Sequence, residues 1–359
     1  MGVPFPKSKV SMAVKSILVV RFRQMGDAVL ATPMLNALRR YYPEAQIDFV
    51  LNERIAQLFE GHPSISRIIT FTDEERHKTL TYIRKVRRIV RETRYDVIID
   101  MRSTVNTMLF ALFSRRSAYR IGIRKPYTWL AFNHRFKGCE ENESMIDHNL
   151  QLLSPLGNFE GDKAITLCIT DKEKADFRSY MLSQGIDFSR PVMLAGVTAK
   201  LANKTWDEKR MTEVLRHFLT TYPDVQVIFN FAPGQEAEKA RRIYDLLGQH
   251  SNIFINIEAP SMRKLAAMAA NITFYFGNEG GARHIVQAMG RPSLVICSPG
   301  ASKTTWLPET DTPLTRGIAA TDIDPQASAI SYIEQYALIS TEQVWQTLKT
   351  FYQQITDKS

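Results

Sequence analysis

The turn Arg21-Phe22-Arg23-Gln24-Met25-Gly26-Asp27 leaves an apolar run at residues 16–22 and enters a segment with apolar residues at helical spacing. It holds a single glycine, Gly26, where a dinucleotide fingerprint needs three, so dinucleotide binding is disfavoured. Asp27 stands there instead. A carboxylate at the carboxyl end of a strand can serve as a general base. Asp is equally a preferred helix N-cap, and position alone leaves both roles open.

Two further segments could hold an anion. GVTAKLANKTWDEKRM (196–211) joins a strand to a helix and carries Thr198 and, just before the expected helix start at Asp207, Lys204. Loop amides, a helix N-terminus and a lysine suit a diphosphate, although a surface lysine would read the same way. GNEGGARHIVQAMGRP (277–292) opens a helix directly after an apolar strand. Here Glu279 can accept hydrogen bonds from sugar hydroxyls, Gly280 and Gly281 permit close backbone approach, and His284 is either a phosphate contact or a core histidine. The following SLVICSPGASKTTWLP is another strand ending in a loop of Gly, Ser, Thr and Lys. Two such loops on one half of the chain point to one nucleotide-diphosphate site.

Other chemistries find no support. Zinc spacing, a nucleophile elbow, a Walker loop and an RNA-binding aromatic signature are all missing. Cys139, Cys168 and Cys297 are widely spaced and odd in number, which suits neither a disulfide framework nor a metal cluster.

The elements that must position these residues alternate between strand and helix. Strands are expected at 16–22, 46–51, 67–71 and 96–101, with helices at 27–43 and roughly 76–93. After a looser segment at 158–191 the rhythm resumes, with strands at 191–197, 225–231, 252–257, 272–277 and 293–298. A βαβ series of this kind implies parallel sheets covered by helices, here two Rossmann-like halves with a ligand cleft at the carboxyl ends of the strands. A last amphipathic helix, 341–355, has no strand after it and is expected to pack back across the domain junction.

At 359 residues, 44% hydrophobic and 23% charged, the chain suits two globular domains. No apolar stretch approaches the ~20 residues that cross a bilayer, and the apolar run after the basic start is too short for a signal peptide. Cytoplasm is the expected compartment. Residues 1–160 hold 25 Lys+Arg against 16 Asp+Glu, whereas residues 161–359 hold 21 of each. The whole net charge of +9 therefore sits in the first half, which favours an anionic partner or membrane surface there, or is a plain solvated face. The helix at 76–93 has the same two readings. Leu80, Ile83, Val86 and Val90 share one face and five cations the rest, which fits either a membrane-surface helix or one lying on a sheet. Nucleic acid is not an expected partner, because the basic excess lacks interleaved stacking aromatics.

Taken together, these motifs resemble glycosyltransferase family 9, the lipopolysaccharide heptosyltransferases. ILVVRFRQMGDAVLATPMLNALRRYYPEAQIDFV is similar to the family's first strand, Gly-Asp turn and helix. IDHNLQLLSPLG (146–157) is similar to the helix that closes its first domain, NKTWDEKRM to its lysine-tryptophan loop, and NEGGARHIVQAMGRP with SPGASKTTWLP to its donor-binding helix and following loop. The resemblance implies an α/β GT-B fold of two Rossmann-like domains facing each other across a cleft. These would be an acceptor-binding domain at 1–165, a donor-binding domain at 166–335, and a closing helix at 336–359. It further implies a nucleotide-sugar donor, most often ADP-heptose, no cofactor and no required metal. The acceptor would be an anionic glycolipid, met by a peripheral enzyme at the inner face of the inner membrane. By position, Asp27 matches the catalytic carboxylate, preceded by Gly26 in its turn. Lys204, Glu279, Gly280, Gly281 and His284 match the donor site, Thr198 on the lysine loop is assigned to it with them, and Glu258 matches an acid that contacts the nucleotide. The family usually has Asp followed by Ser or Thr at 279–280 and Pro-Met at 282–283, so Glu279-Gly280 and Ala282-Arg283 depart from it, with Arg283 adding a cation. A nucleotide-sugar epimerase of the same fold, or a binding protein that has lost transfer, are the alternatives.

Overall fold

The computed structural model describes residues 14–22, 24–140, 143–159, 163–300, 302–307 and 315–357. The chain divides into two compact units, Met1–Cys168 and Ile169–Ser359.

The first unit is built on six parallel strands: β1 (Ser16–Val20), β2 (Gln46–Asn52), β3 (Arg67–Phe71), β4 (Val97–Asp100), β5 (Tyr119–Ile123) and β6 (His134–Phe136). Their order is β3-β2-β1-β4-β5-β6. The sequence SILVV is buried at every position of β1, as a central parallel strand covered on both faces requires. The chain runs outward from β1 through β2 and β3, then returns to place β4 on its other side. The crevice at the carboxyl ends of β1 and β4 is therefore the topological switch point, where open α/β sheets bind ligands.

The second unit repeats the plan with β7 (Val192–Gly196), β8 (Gln226–Phe229), β9 (Ile253–Phe254), β10 (Phe274–Asn278), β11 (Ser293–Ile296) and β12 (Thr315–Ile318), in the order β12-β11-β10-β7-β8-β9. Its switch point lies between β7 and β10, which pair with Gly277 opposite Gly196.

Several expectations change in detail. The helix expected at 27–43 is two, Met25–Val29 and Thr32–Tyr41. Pro33, which lacks an N–H, sits in the first turn of the second, and the Thr32 hydroxyl donates to the Val29 carbonyl at 2.8 Å. The basic helix also splits, at Lys78, into Asp73–His77 and Thr79–Glu92. The second piece buries Tyr82, Val86, Ile89 and Val90 in the first unit's core, while Leu80 is 68% exposed. Its buried stripe is thus turned away from the expected face, and the helix lies on the sheet with most of its cations outward. The strand expected at 252–257 shortens to the two residues of β9, at the sheet edge, while β5, β6 and β12 are additions.

The closing helix, Thr341–Thr356, buries its apolar face inside the second unit. Val344, Leu348, Phe351 and Tyr352 are buried there, with Tyr352 edge-on to Phe218 and Phe351 against Phe274. Burial of each such side chain contributes about 1.5–3 kcal/mol, so the helix is integral to this core. Among the described residues, no helix is long and apolar enough to cross a membrane.

Candidate active site

In the first unit the switch point holds an ion pair. Arg21 follows β1 directly, and its backbone N–H extends the sheet by donating to the Val50 carbonyl at 3.1 Å. Its guanidinium donates from Nη1 to the Met101 carbonyl at 2.9 Å, just past β4, and from Nη2 to Asp27 Oδ1 at 2.7 Å. The two side chains are 9% and 17% exposed. Asp27 is the third residue of the helix Met25–Val29, whose N-cap position belongs to Gln24 without any side-chain cap. Of the two roles open to Asp27, capping is therefore not the one it fills. Arg21 fixes one carboxylate oxygen, and Oδ2 has no hydrogen-bond partner among the described residues.

Across the switch point, β4 ends in a wholly buried acid that sequence reasoning counted only as part of a strand. Asp100 Oδ1 accepts from the backbone N–H of Arg102 (2.9 Å) and of Ser103 (2.8 Å). Burial pushes its carboxyl above the usual range. Ser103 holds a left-handed backbone (φ 52°) and accepts from the Ile123 N–H through its hydroxyl, which stitches the turn to β5. This turn also presents the Met101 carbonyl to Arg21. The only signal in the sequence was an acid closing an apolar strand.

The same unit contains a cavity of about 780 Å³ lined by Arg124, Arg135, Lys137, Glu140 and Glu143. The guanidiniums of Arg124 and Arg135 have no partner among the described residues, so they can take an anion. The basic excess seen in the sequence has a local expression here.

In the second unit the crevice is lined by backbone. Gly277 has φ 147°, and a Cβ there would lie 2.4 Å from the Gly196 carbonyl oxygen; a Cβ on Gly196 would collide with the Tyr275 hydroxyl. Asn278, buried at the end of β10, ties the crevice to the lysine loop. It donates from Nδ2 to the Gly196 carbonyl at 3.0 Å and accepts from the Trp206 N–H at 2.7 Å. Trp206, almost fully buried, donates from Nε1 to the Ile339 carbonyl at 3.2 Å. These bonds set the path of residues 196–206. Lys204, in the short 3-10 turn Ala202–Lys204, is half-buried, and its ammonium has no partner among the described residues. Thr198 is less free, since its hydroxyl donates to Glu236 Oε2 at 3.0 Å. Glu236 opens the helix Gln235–Leu246 and was not anticipated, because only the fold brings these two residues together.

Glu279 leaves β10 next to the loop after β11. Its Oε2 accepts from the Ser298 N–H at 2.9 Å and from the Ser298 hydroxyl at 2.8 Å. Gly280 is the extended N-cap of the helix Gly281–Ala288, with open space where a Cβ would stand, so backbone freedom is not why glycine is there. The N-terminal amides of this helix therefore face no side chain at position 280. The second phosphate-suited loop is more occupied than its composition suggested. Lys303 pairs with Asp322 at 3.0 Å, and Ser302 caps the helix Lys303–Trp306.

Arg283 adds no cation to an open pocket. It is wholly buried, donating to Gln287 Oε1 at 2.6 Å and to the Trp306 carbonyl at 2.5 Å, which straps the 303–306 helix onto the 281–288 helix. Desolvation brings its guanidinium down to about 10. Its Nη2 also lies 3.1 Å from His284 Nε2. A guanidinium only donates, so Nε2 is the lone-pair nitrogen and the imidazole proton sits on Nδ1. That nitrogen is buried with no hydrogen-bond partner. Desolvation, aided by Arg283, holds the His284 pKa well below the usual value, so the ring is neutral at pH 7. His284 is thus a buried histidine with one unspent N–H donor.

The fold therefore gathers Thr198, Lys204, Glu279, Gly280, Gly281 and His284 on the loops and helix that follow β7 and β10, adjacent strands of the second sheet. Gly26 and Asp27 occupy the equivalent place in the first sheet. Glu258 stands apart from this group. It is exposed beyond the edge strand β9, and its backbone N–H meets the Tyr180 hydroxyl at 3.3 Å.

Known proteins share this fold. The family model for glycosyltransferase family 9 (heptosyltransferase) matches residues 83–316. Lipopolysaccharide heptosyltransferase 1 of Campylobacter coli is 20% identical over 289 residues, covering 78% of this chain and 83% of that protein. Among solved structures, a family 9 glycosyl transferase from Veillonella parvula superimposes with a TM-score of 0.82 at 18% identity, over 96% of this chain and 99% of the other. The E. coli ADP-heptose lps heptosyltransferase II does so with a TM-score of 0.73 at 18% identity, over 94% and 99%. The ion pair at the first switch point and the lysine loop at the second thus sit in two Rossmann-like units of a GT-B fold, and the chain belongs to glycosyltransferase family 9, as a glycosyltransferase.

Proposed function

We propose that this glycosyltransferase moves heptose from ADP-heptose onto the core of a lipopolysaccharide-type glycolipid, with inversion at the anomeric carbon and Asp27 as base. The observation that carries this reading is the Asp27 carboxylate, held by Arg21 at the switch point of the first sheet with one oxygen unspent. An acceptor hydroxyl gives its proton to that carboxylate while its oxygen bonds to the anomeric carbon. The bond from that carbon to the diphosphate breaks, and ADP departs with the electron pair. Base assistance of this kind supplies about 10²–10⁴ in rate.

The donor side supports the same chemistry. Charge grows on the leaving diphosphate, and preorganised donors are the usual means of stabilising it. Lys204 offers an unpaired ammonium, His284 an unspent Nδ1–H, and the helix Gly281–Ala288 its first amides. On this reading these donors stabilise the leaving group in place of a cofactor or a metal. Thr198 and Glu279 complete the donor site, and Glu258 is a nucleotide contact only through its match to the family. On the acceptor side, the cavity bearing Arg124, Arg135 and Lys137 suits phosphate or carboxylate groups of an inner-core glycolipid. Exposed Trp129, Leu130 and Val105 on the same basic unit suit a peripheral position at the cytoplasmic membrane surface.

The test replaces Asp27 by Asn. The variant should bind ADP-heptose as the parent does and lose most turnover with the lipid acceptor. Near-parental turnover would remove Asp27 as base, and product formed without acceptor would point to isomerisation rather than transfer.

A further inference from the structure

Among the described residues, one group of three metal-capable side chains converges: Cys139, Glu143 and His148, whose sulfur, carboxylate oxygen and ring nitrogen all lie within 4.8 Å of one another. The fold builds this meeting from two directions. Cys139 follows the edge strand β6, whereas His148 lies on the helix Met145–Gln151, with Glu143 just ahead of its Ser144 cap. Only one of the three is a cysteine, so cysteine spacing in the sequence could not disclose it.

The three groups contact one another only loosely. His148 is 6% exposed at its side chain, and its Nδ1 is buried without a hydrogen bond. The nearest carboxylate oxygen, Glu143 Oε2, stands 3.4 Å away, a long ion-pair contact, and it also accepts from the Glu140 N–H at 3.2 Å. The Cys139 sulfur makes long contacts to the main-chain oxygens of Glu140 at 3.7 Å and Glu143 at 3.5 Å, beside the Glu143 carboxylate. A buried polar nitrogen left in this state is destabilising. The Glu143–His148 pair is long at 3.4 Å, and the three ligand atoms stand within 4.8 Å of one another, a spacing into which a cation fits.

We propose that Cys139, Glu143 and His148 bind one zinc-class divalent cation, with water in the fourth position. Thiolate, imidazole and carboxylate form the donor set that zinc takes, with bonds of about 2.0–2.3 Å and ligand atoms therefore about 3.5 Å apart. From the present separations, closure needs side-chain movements of about 1 Å. Binding releases the Cys139 thiol proton to solvent and joins one thiolate and one carboxylate to a doubly charged ion, so the occupied site is neutral overall. Neutrality matters here, because Arg21 acts electrostatically on both Cys139 and His148. The ion also removes the free charge of Glu143 from the cavity that it shares with Arg124, Arg135 and Lys137, making that cavity more welcoming to an anion. The site borders the cavity proposed for the acceptor, but metal binding at it is measured independently of transfer.

The experiment uses the full chain, stripped with a chelator and titrated with Co²⁺, then with Zn²⁺ in competition. One equivalent of Co²⁺ should produce the near-ultraviolet thiolate-to-metal band and the visible bands of a four-coordinate ion, and Zn²⁺ should abolish both. Cys139→Ser should lose the thiolate band, and Glu143→Gln and His148→Gln should each weaken Co²⁺ binding about tenfold or more. Zn²⁺ should raise the melting temperature of the parent but not of Cys139→Ser, with circular dichroism confirming that the variants are folded. Absence of a thiolate band at excess Co²⁺, a band that persists in Cys139→Ser, or unchanged affinity in both other variants would overturn the proposal.

Discussion

Arg21 Nη2 and Asp27 Oδ1 stand 2.7 Å apart, and the same guanidinium reaches the Met101 carbonyl beyond β4, so one arginine fixes the acid and joins the two central strands of the first sheet. Charge-assisted hydrogen bonds contribute about 1.5–3 kcal/mol. Arg21→Ala should therefore lower kcat by about 10- to 100-fold while the dissociation constant for nucleotide stays near the parental value. Arg21→Lys should restore part of the rate, since it keeps the charge and loses the fork. A loss confined to nucleotide affinity, measured by calorimetry beside steady-state kinetics, would contradict the positioning role.

Lys204 differs from Lys303 in having no carboxylate partner among the described residues, so its ammonium is available to a diphosphate. Lys204→Ala should weaken ADP binding by about tenfold or more, whereas Lys303→Ala should change it much less. Titration calorimetry of the two variants separates a phosphate-binding lysine from a surface one.

Asn278 should matter to stability beyond its size. Replacing it by Ala strands the buried Trp206 N–H and the Gly196 carbonyl, at a cost of about 1–3 kcal/mol for each unsatisfied group. Asn278→Ala should lower the denaturation midpoint and loosen the 196–206 loop, giving faster amide exchange at Trp206 than in the parent. An unchanged midpoint would show that water replaces the bridge.

His62 provides a pH response. Its Nδ1 accepts from the Ser64 N–H at 3.2 Å, its Nε2 lies 3.0 Å from the Thr166 hydroxyl, and burial lowers its pKa to about 4. Because the folded pKa is depressed, the unfolded chain binds the proton first as pH falls. Stability from this residue is complete above pH 6.5 and declines between 6.5 and about 4. The loss over that window amounts to about 3 kcal/mol. His62→Gln should flatten this part of the stability profile in urea titrations at stepped pH, even if it lowers the plateau.

Central strands were readable because burial on both faces demands an unbroken apolar run, as in SILVV of β1 and ITFYFG around β10. Edge and short strands were not. β5 contains Arg120 and Gly122, and β6 is only His134–Phe136, so their pairing comes from neighbours rather than from composition. The site divides in the same way. Asp27, Lys204 and Glu279 follow strands in the sequence and could be found by position. Partners brought in by folding could not, such as Arg21 for Asp27, Glu236 for Thr198 and Ser298 for Glu279. Arg283 looked like a cation for the ligand, and only its full burial reveals a strap between helices.

On the proposed reading of the second crevice as the donor site, the facing pair Gly196 and Gly277 has a consequence for anyone redesigning donor preference. With a Cβ at either position colliding with the opposite strand or with Tyr275, the floor of the second crevice cannot be resculpted by side chains. Selectivity has to be engineered from above, through the tethered 198–206 loop and the 279–284 turn. A directed library would gain by leaving the floor untouched and varying only those walls.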